Sequence, residues 1–186
     1  MLPPKASRIT APERRVVLGL DPSVAAYGWA IVELGAGTPR VVAAGCIATS
    51  FDAERDDYVF EQDGDRIDEL ARALLQIIEH ARTVGRVTVA FEAMGGSQSS
   101  RALKMLSFAF AITRSVCVAT RAQSVGLRAA EVKLVMTGDR DAEKHVVAGA
   151  VEKAIGWTSS AKSKVVREAE TDAVAVALVG ARKVVR

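Results

Sequence analysis

The sequence predicts an α/β fold: a five-stranded mixed sheet with helices on both faces. Three observations carry this. A buried-type run, Val16-Val17-Leu18-Gly19-Leu20-Asp21-Pro22, ends in a carboxylate. A second such run, Val87-Thr88-Val89-Ala90-Phe91-Glu92, repeats the arrangement. Apolar stretches with helical spacing then follow the strands, which is how a sheet acquires cover on both sides.

The elements follow in order. A continuous apolar run is a strand covered on both faces. Asp21 stands at the C-terminal end of the first one, where open sheets bind ligands. Pro22 lacks an amide donor and ends the ladder. An Asp there can also simply start a turn. Ser23 to Trp29 reads as that turn, and Ala30-Ile31-Val32-Glu33-Leu34 as the returning strand. Gly35 to Pro39 forms the next turn. Val41 to Ala48 forms the third strand, giving an antiparallel meander.

The acids of residues 52–65 read as a solvated loop leading to a helix N-terminus. The helix Arg66–Arg82 follows, with Ile67, Leu70, Leu74, Ile77 and Ile78 on one stripe. Past the strand ending at Glu92, Gly95 to Ser100 is a flexible loop. It opens a helix over about 101–121, apolar nearly all round and so expected to be central. Ser124 to Ala130 is expected as the fifth strand. Asp141 is expected to N-cap a helix reaching about Ile155. Ser159 to Lys164 is a polar link, and the last helix spans about 168–183.

Composition bounds the rest. The chain has 186 residues, 49% hydrophobic and only 5% aromatic, so its core is built from Ala, Val, Leu and Ile. That length suits one domain, residues 15–186, preceded by a mobile basic arm over 1–14. A net charge of +3 permits nucleic-acid binding without establishing it. Cys46 and Cys117 lie in apolar stretches without metal-ligand spacing and read as buried thiols of a reducing compartment. No apolar run reaching membrane-spanning length is seen, nor a secretory leader, so a cytoplasmic location is expected.

Acids from three distant segments stand at special places. Asp21 and Glu92 end buried strands, and Asp172 adjoins the apolar run Ala173 to Leu178. Glu168 is four residues before Asp172 and shares its helical face; Glu170 points elsewhere. Clustered carboxylates repel one another and take up protons unless a cation neutralises them. Hard divalent metals with oxygen ligands meet that need. Two such ions about 4 Å apart can activate a water and steady the leaving oxygen of a phosphodiester.

At this point the chain resembles the RuvC Holliday-junction resolvases of the ribonuclease H-like superfamily, in a divergent or phage-type form. The residues that carry the likeness are Leu18 to Ser23 with Tyr27-Gly28-Trp29, Phe91-Glu92-Ala93-Met94, Ser100 to Lys104, Ala142-Glu143-Lys144 with Val146, and Glu168 to Ala177. The resemblance implies a ribonuclease H-like fold and cleavage of four-way DNA junctions. It implies two Mg²⁺ ions per site, with Mn²⁺ as a substitute, and 5′-phosphate and 3′-hydroxyl products. Asp21, Glu92, Asp172 and Glu168 would hold metal, and Lys144 would sit at the scissile phosphate. Arg101, Lys104, Arg140 and Lys144 would contact DNA. Paired cuts on a two-fold junction imply a homodimer, with the helix over 101–121 as a candidate interface.

There are departures. Ser23 and Tyr27 replace usual residues of the opening motif. Ala169 stands where the fourth acid usually lies, so Glu168 or Glu170 substitutes, or the site has three acids. The helical face favours Glu168. Met94 and two glycines occupy a loop that bears an aromatic in bacterial members. A catalytically inactive nucleic-acid-binding protein of this fold, or a ribonuclease H-like nuclease acting on other branched DNA, stays as the alternative. An actin-like ATPase shares the opening hairpin but needs two domains, and this chain is too short.

Overall fold

The computed structural model describes residues 14–50, 59–93 and 100–184. Most of the basic arm, the acids Asp52 to Asp57 and the loop over 94–99 lie outside the described residues. The elements run β1 (Arg15–Asp21), β2 (Ala26–Leu34), β3 (Arg40–Ala48), α1 (Val59–Val84), β4 (Arg86–Glu92), α2 (Ser100–Ala119), β5 (Gln123–Leu127), α3 (Ala129–Thr137), α4 (Lys144–Ile155) and α5 (Lys164–Val184).

The five strands form one mixed sheet in the order β3-β2-β1-β4-β5. The meander β1-β2-β3 is antiparallel, whereas β1-β4 and β4-β5 are parallel. A strand alternates its side chains between two faces. On β1, Val16, Leu18 and Leu20 join a core with Leu70, Leu74 and Ile78 of α1 and Ile112 and Val116 of α2. Val17, with Ala30 of β2 and Ala90 of β4, joins the opposite core with Val132 of α3, Val147 of α4 and the buried run of α5. The expected sheet with helices on both faces is therefore present.

Several local expectations are corrected. The turn drawn over Ser23–Trp29 is shorter, because β2 already begins at Ala26. The solvated acidic loop ends early: α1 starts at Val59 and buries Gln62 and Asp63. The fifth strand stops at Leu127, and α3 takes up the residues that follow. Gly138, at φ 84°, caps α3 in the left-handed region, its N–H donating to the Leu134 carbonyl at 2.8 Å. Asp141 is not the cap of α4; that position belongs to Glu143. α5 begins at Lys164, so Asp172 sits inside the helix rather than near its start.

α2 is not the central helix. Its buried residues are Ala109, Ile112, Thr113, Val116 and Cys117, while Leu103 and Val118 are exposed. By length and apolarity alone α2 reaches membrane-spanning size, contrary to the reading of the sequence. It packs on α1, however, and its Thr113 hydroxyl bonds the buried Tyr27 hydroxyl of β2. The central helix is α5, with an unbroken buried run from Ala173 to Ala181. Of the two thiols, Cys117 is buried but Cys46 only half-buried.

Candidate active site

Strand parity decides which way the acids face. Asp21 follows Val17 and Gly19 at steps of two, and Glu92 follows Ala90. Both therefore point to the α5 side of the sheet. Leu20 is in register with Phe91 across the parallel pair, which sets the two carboxylates side by side at the ends of neighbouring strands.

The third acid arrives because α5 lies unusually close to the sheet. A Cβ on Gly19 would collide with the Ala173 carbonyl and Ala177, and one on Gly28 with the Ala169 backbone. Only glycine permits this approach. It brings Asp172, one residue before Ala173, over the end of β1.

The electrostatics report the crowding. Asp21 has its carboxyl pushed up to about 7, first by burial, then by the charges of Asp172 and Glu92, with Lys144 opposing. Glu92 is also raised, by burial and then by Asp172. Lys144, from the first turn of α4, places its ammonium 2.9 Å from Asp172 Oδ2 and 3.2 Å from Glu168 Oε2. Burial works against its charge, but the hydrogen bonds and charges of these two acids hold it above its ordinary range. The Lys144 hydrogen bond in turn lowers Glu168.

The structure thus brings together Asp21, Glu92, Asp172, Glu168 and Lys144. Glu168 and Asp172 share one face of α5 and one cation. Glu170 points away, accepting a hydrogen bond from the Ser159 hydroxyl. Ala169, three residues before Asp172, is buried against Gly28.

Oxygen-only donors held half out of water suit a hard divalent ion. Asp21 and Glu92 are raised first by burial and then by neighbouring carboxylates, so a cation held between them would favour their charged forms, and the residues fit such a group. Among the described residues, no three acidic, histidine or cysteine side chains converge as a finished ion cage. The acids meet through their fields, with the Lys144 ammonium between two of them.

The expected DNA-contacting residues are more dispersed. Lys104 stands in the first turns of α2, 3.5 Å from the buried Asp63 and over the Phe108 ring. Arg101 is exposed on the same helix. Arg140 is exposed on the turn before α4. Two residues that sequence reading passed over also act here. Lys133 of α3 lowers Glu92 by its charge, and Lys164 lies 3.7 Å from Glu168. Lys164 had a signal in its i,i+4 spacing to Glu168. Lys133 had none, since α3 itself was not drawn.

No curated protein matches the chain. The RuvC structure of Thermus thermophilus in complex with a Holliday junction substrate is similar, with a TM-score of 0.73 at 20% identity, over 91% of this chain and 94% of that one. A second Thermus thermophilus RuvC structure gives 0.69 at 21%, over 89% and 93%. The yeast mitochondrial Holliday junction resolvase gives 0.55 at 12%, over 88% and 77%. At these identities the likeness shows the fold, which is the ribonuclease H-like one expected. The family model for the crossover junction endodeoxyribonuclease RuvC matches residues 17–180, which covers all four acids and Lys144. The chain belongs to the RuvC family.

Proposed function

We propose that this protein is a metal-dependent, structure-selective DNA endonuclease that cuts four-way junctions, leaving 5′-phosphate and 3′-hydroxyl ends. The observation that carries the reading is the Asp21 carboxyl, lifted to about 7 by burial beside Asp172 and Glu92 in a chain that matches this family throughout. Asp21, Glu92, Asp172 and Glu168 would hold two Mg²⁺ ions, or Mn²⁺ in their place. When bound, such ions polarise the phosphoryl oxygens and acidify the attacking water.

The chain's own residues do the rest. β1 and β4 hold Asp21 and Glu92 rigidly, because both strands are buried up to the acids. α5 fixes Asp172 and Glu168 through its glycine-lined seat on the sheet. Lys144, within reach of Asp172 and Glu168, would hold its ammonium towards a non-bridging phosphate oxygen, where it would steady charge developing on the scissile group. Arg101, Lys104 and Arg140 would position the strand through phosphate contacts, without reading sequence.

We further propose a symmetric homodimer, acting in the cytoplasm on recombination or phage DNA intermediates. Its support is α2, a strongly apolar helix with Leu103 and Val118 left exposed. Ala169, in place of a further acid, is what favours the competing reading of an inactive DNA-binding protein. Cleavage of matched four-way, three-way, flap and linear DNAs decides between them. Mg²⁺-dependent cutting of the four-way junction, abolished in Asp21→Asn with binding retained, is the expected result. Junction binding without any cleavage establishes the competing reading.

A further inference from the structure

At the end of the sheet away from the acids, a cavity of about 470 Å³ opens beside the first residues of β4 and β5. The parallel strands β1, β4 and β5 all begin at this end. The seven residues of β4 therefore put the cavity about 20 Å from Glu92. Three arginines line it: Arg82 from the last turn of α1, Arg86 at the start of β4 and Arg121 just past α2. Among the described residues, no carboxylate lines it. We propose that this cavity is a phosphate site separate from the acidic centre, filled by a free oligophosphate or by the terminal phosphate of a nucleic-acid strand. The site stands whether or not the chain cuts junctions.

Arginine near a helix C-terminus has an ordinary use, which is to answer the partial negative charge of the last carbonyls. Arg82 is used in this way. Its guanidinium donates to the Thr120 carbonyl and lies 2.7 Å from Glu79 Oε1. Arg86 and Arg121 are different. Both are exposed, and among the described residues neither is ion-paired to a carboxylate. Two guanidiniums are thus left over at one cavity, beside a third that is held in place.

The backbone of Arg121 is a second observation. α3 and α4 each end on a glycine in the left-handed region, Gly138 at φ 84° and Gly156 at φ 65°. α2 ends in a related turn. The Arg121 amide donates to the Val118 carbonyl at 3.0 Å, and the Ala122 amide to the Cys117 carbonyl at 2.9 Å. Here the left-handed residue is Arg121, at φ 53°, the only non-glycine in that region among the described residues. A residue with a Cβ is disfavoured there. Strained backbone of this kind gathers at ligand sites, where the task of the side chain outweighs the strain.

The wall selects the ligand. Guanidinium forks match the paired oxygens of phosphate, and two or three of them suit a group of multiple charge. A docked protein segment would need an apolar or aromatic anchor in a pocket. Only Val87 and Ala122 offer apolar side chains here, which is too little for one.

The test uses metal-free protein, with tripolyphosphate as the probe. Wild type should bind it saturably by calorimetry and melt at a higher temperature in its presence. R86Q should weaken binding about tenfold. R121G removes the guanidinium and relieves the backbone, so the free protein should melt higher than wild type while binding falls about tenfold. R72Q alters an exposed arginine paired with Asp68 elsewhere on α1, and should bind as wild type. Two oligonucleotides that differ only in a 5′-phosphate separate the sources. A preference for the phosphorylated one that is lost in R86Q assigns a strand end; tripolyphosphate binding without such a preference assigns a free oligophosphate. A wild type that binds neither probe at millimolar concentration overturns the proposal, as do R86Q and R121G variants that bind like wild type. A polyglutamate peptide that binds as tightly as tripolyphosphate, and is lost in the same variants, replaces the phosphate with an acidic protein partner.

Discussion

At the scale of single residues, Asp21 ties stability to pH in the metal-free protein. Its carboxyl ionises near 3.8 when unfolded and about 7 when folded. The folded state therefore binds the proton more tightly. Stability is lost as pH rises from about 4 to 7 and is flat above that. A shift of this size bounds the loss at about 4 kcal/mol. Glu92, also raised, adds in the same direction. Metal-free protein should melt at a higher temperature at pH 5 than at pH 8. Asp21→Asn should flatten that dependence, and Mg²⁺ should restore wild-type stability chiefly at pH 8. Thermal melts across this range check it; a wild type whose melting point climbs from pH 5 to 8 contradicts the proposed charge crowding.

The proposed fourth ligand is tested at the same scale. Glu168 shares Lys144 with Asp172, whereas Glu170 is turned to Ser159. Glu168→Gln should lower turnover at least tenfold with little change in fold. Glu170→Gln should loosen the hold on Ser159 and leave turnover within a few-fold of the wild type. Steady-state kinetics on a four-way junction compare the two. A larger kcat loss in the Glu170 variant would show that the acid turned away is the ligand.

Among the elements, the seat of α5 on β1 and β2 governs the site. Gly28→Ala would drive a methyl group into the Ala169 backbone, which cannot yield as a flexible side-chain tip would. The cost should be about 1–3 kcal/mol, with activity lost as Asp172 is displaced. Gly149→Ala serves as the control. It is exposed within α4 with nothing near its Cβ, and should stabilise by about 0.5–1 kcal/mol. Chemical denaturation of both variants, with cleavage rates alongside, distinguishes lost packing from lost placement.

The same elements show what was readable from residues alone. Val16 to Asp21 and Val87 to Glu92 announced themselves as buried strands with acids at their ends, because parallel strands under helices carry unbroken apolar runs. The i,i+4 relation of Glu168 and Asp172 needed only helical geometry, which holds wherever the helix starts. α3 was not readable: Ala129 to Thr137 is a short apolar run, equally good as strand end or helix. The role of α2 was misread because apolarity all round does not distinguish a core helix from one with an uncovered side. The close approach of α5 was invisible, since it depends on Gly19 and Gly28 facing Ala173 and Ala169 across about 150 residues of chain.

For the whole molecule, the acids lie at the edge formed by the C-terminal ends of the inner strands β1 and β4, and a single site cannot make the paired cuts that a two-fold junction requires. Two copies joined through the apolar surface of α2 would hold two such edges at a fixed spacing. Val118 is 73% exposed, so a charge placed there costs the monomer little and a buried interface much. Val118→Glu should yield a folded monomer by sedimentation. Affinity of the wild type for four-way DNA should exceed that for linear duplex of the same sequence. Both affinities should fall steeply with salt, because phosphate neutralisation supplies most of the binding. Their ratio should persist, because it comes from the spacing and angle of two sites rather than from charge. In Val118→Glu the ratio should collapse towards one, while the salt slope per bound chain stays near that of the wild type. Lys144→Ala, by contrast, should keep the ratio and lose turnover, since in the proposed mechanism its ammonium meets a single phosphate. A dimeric wild type that binds junction and linear DNA equally across the salt range would retain the nuclease chemistry of this edge and remove the four-way junction as its substrate.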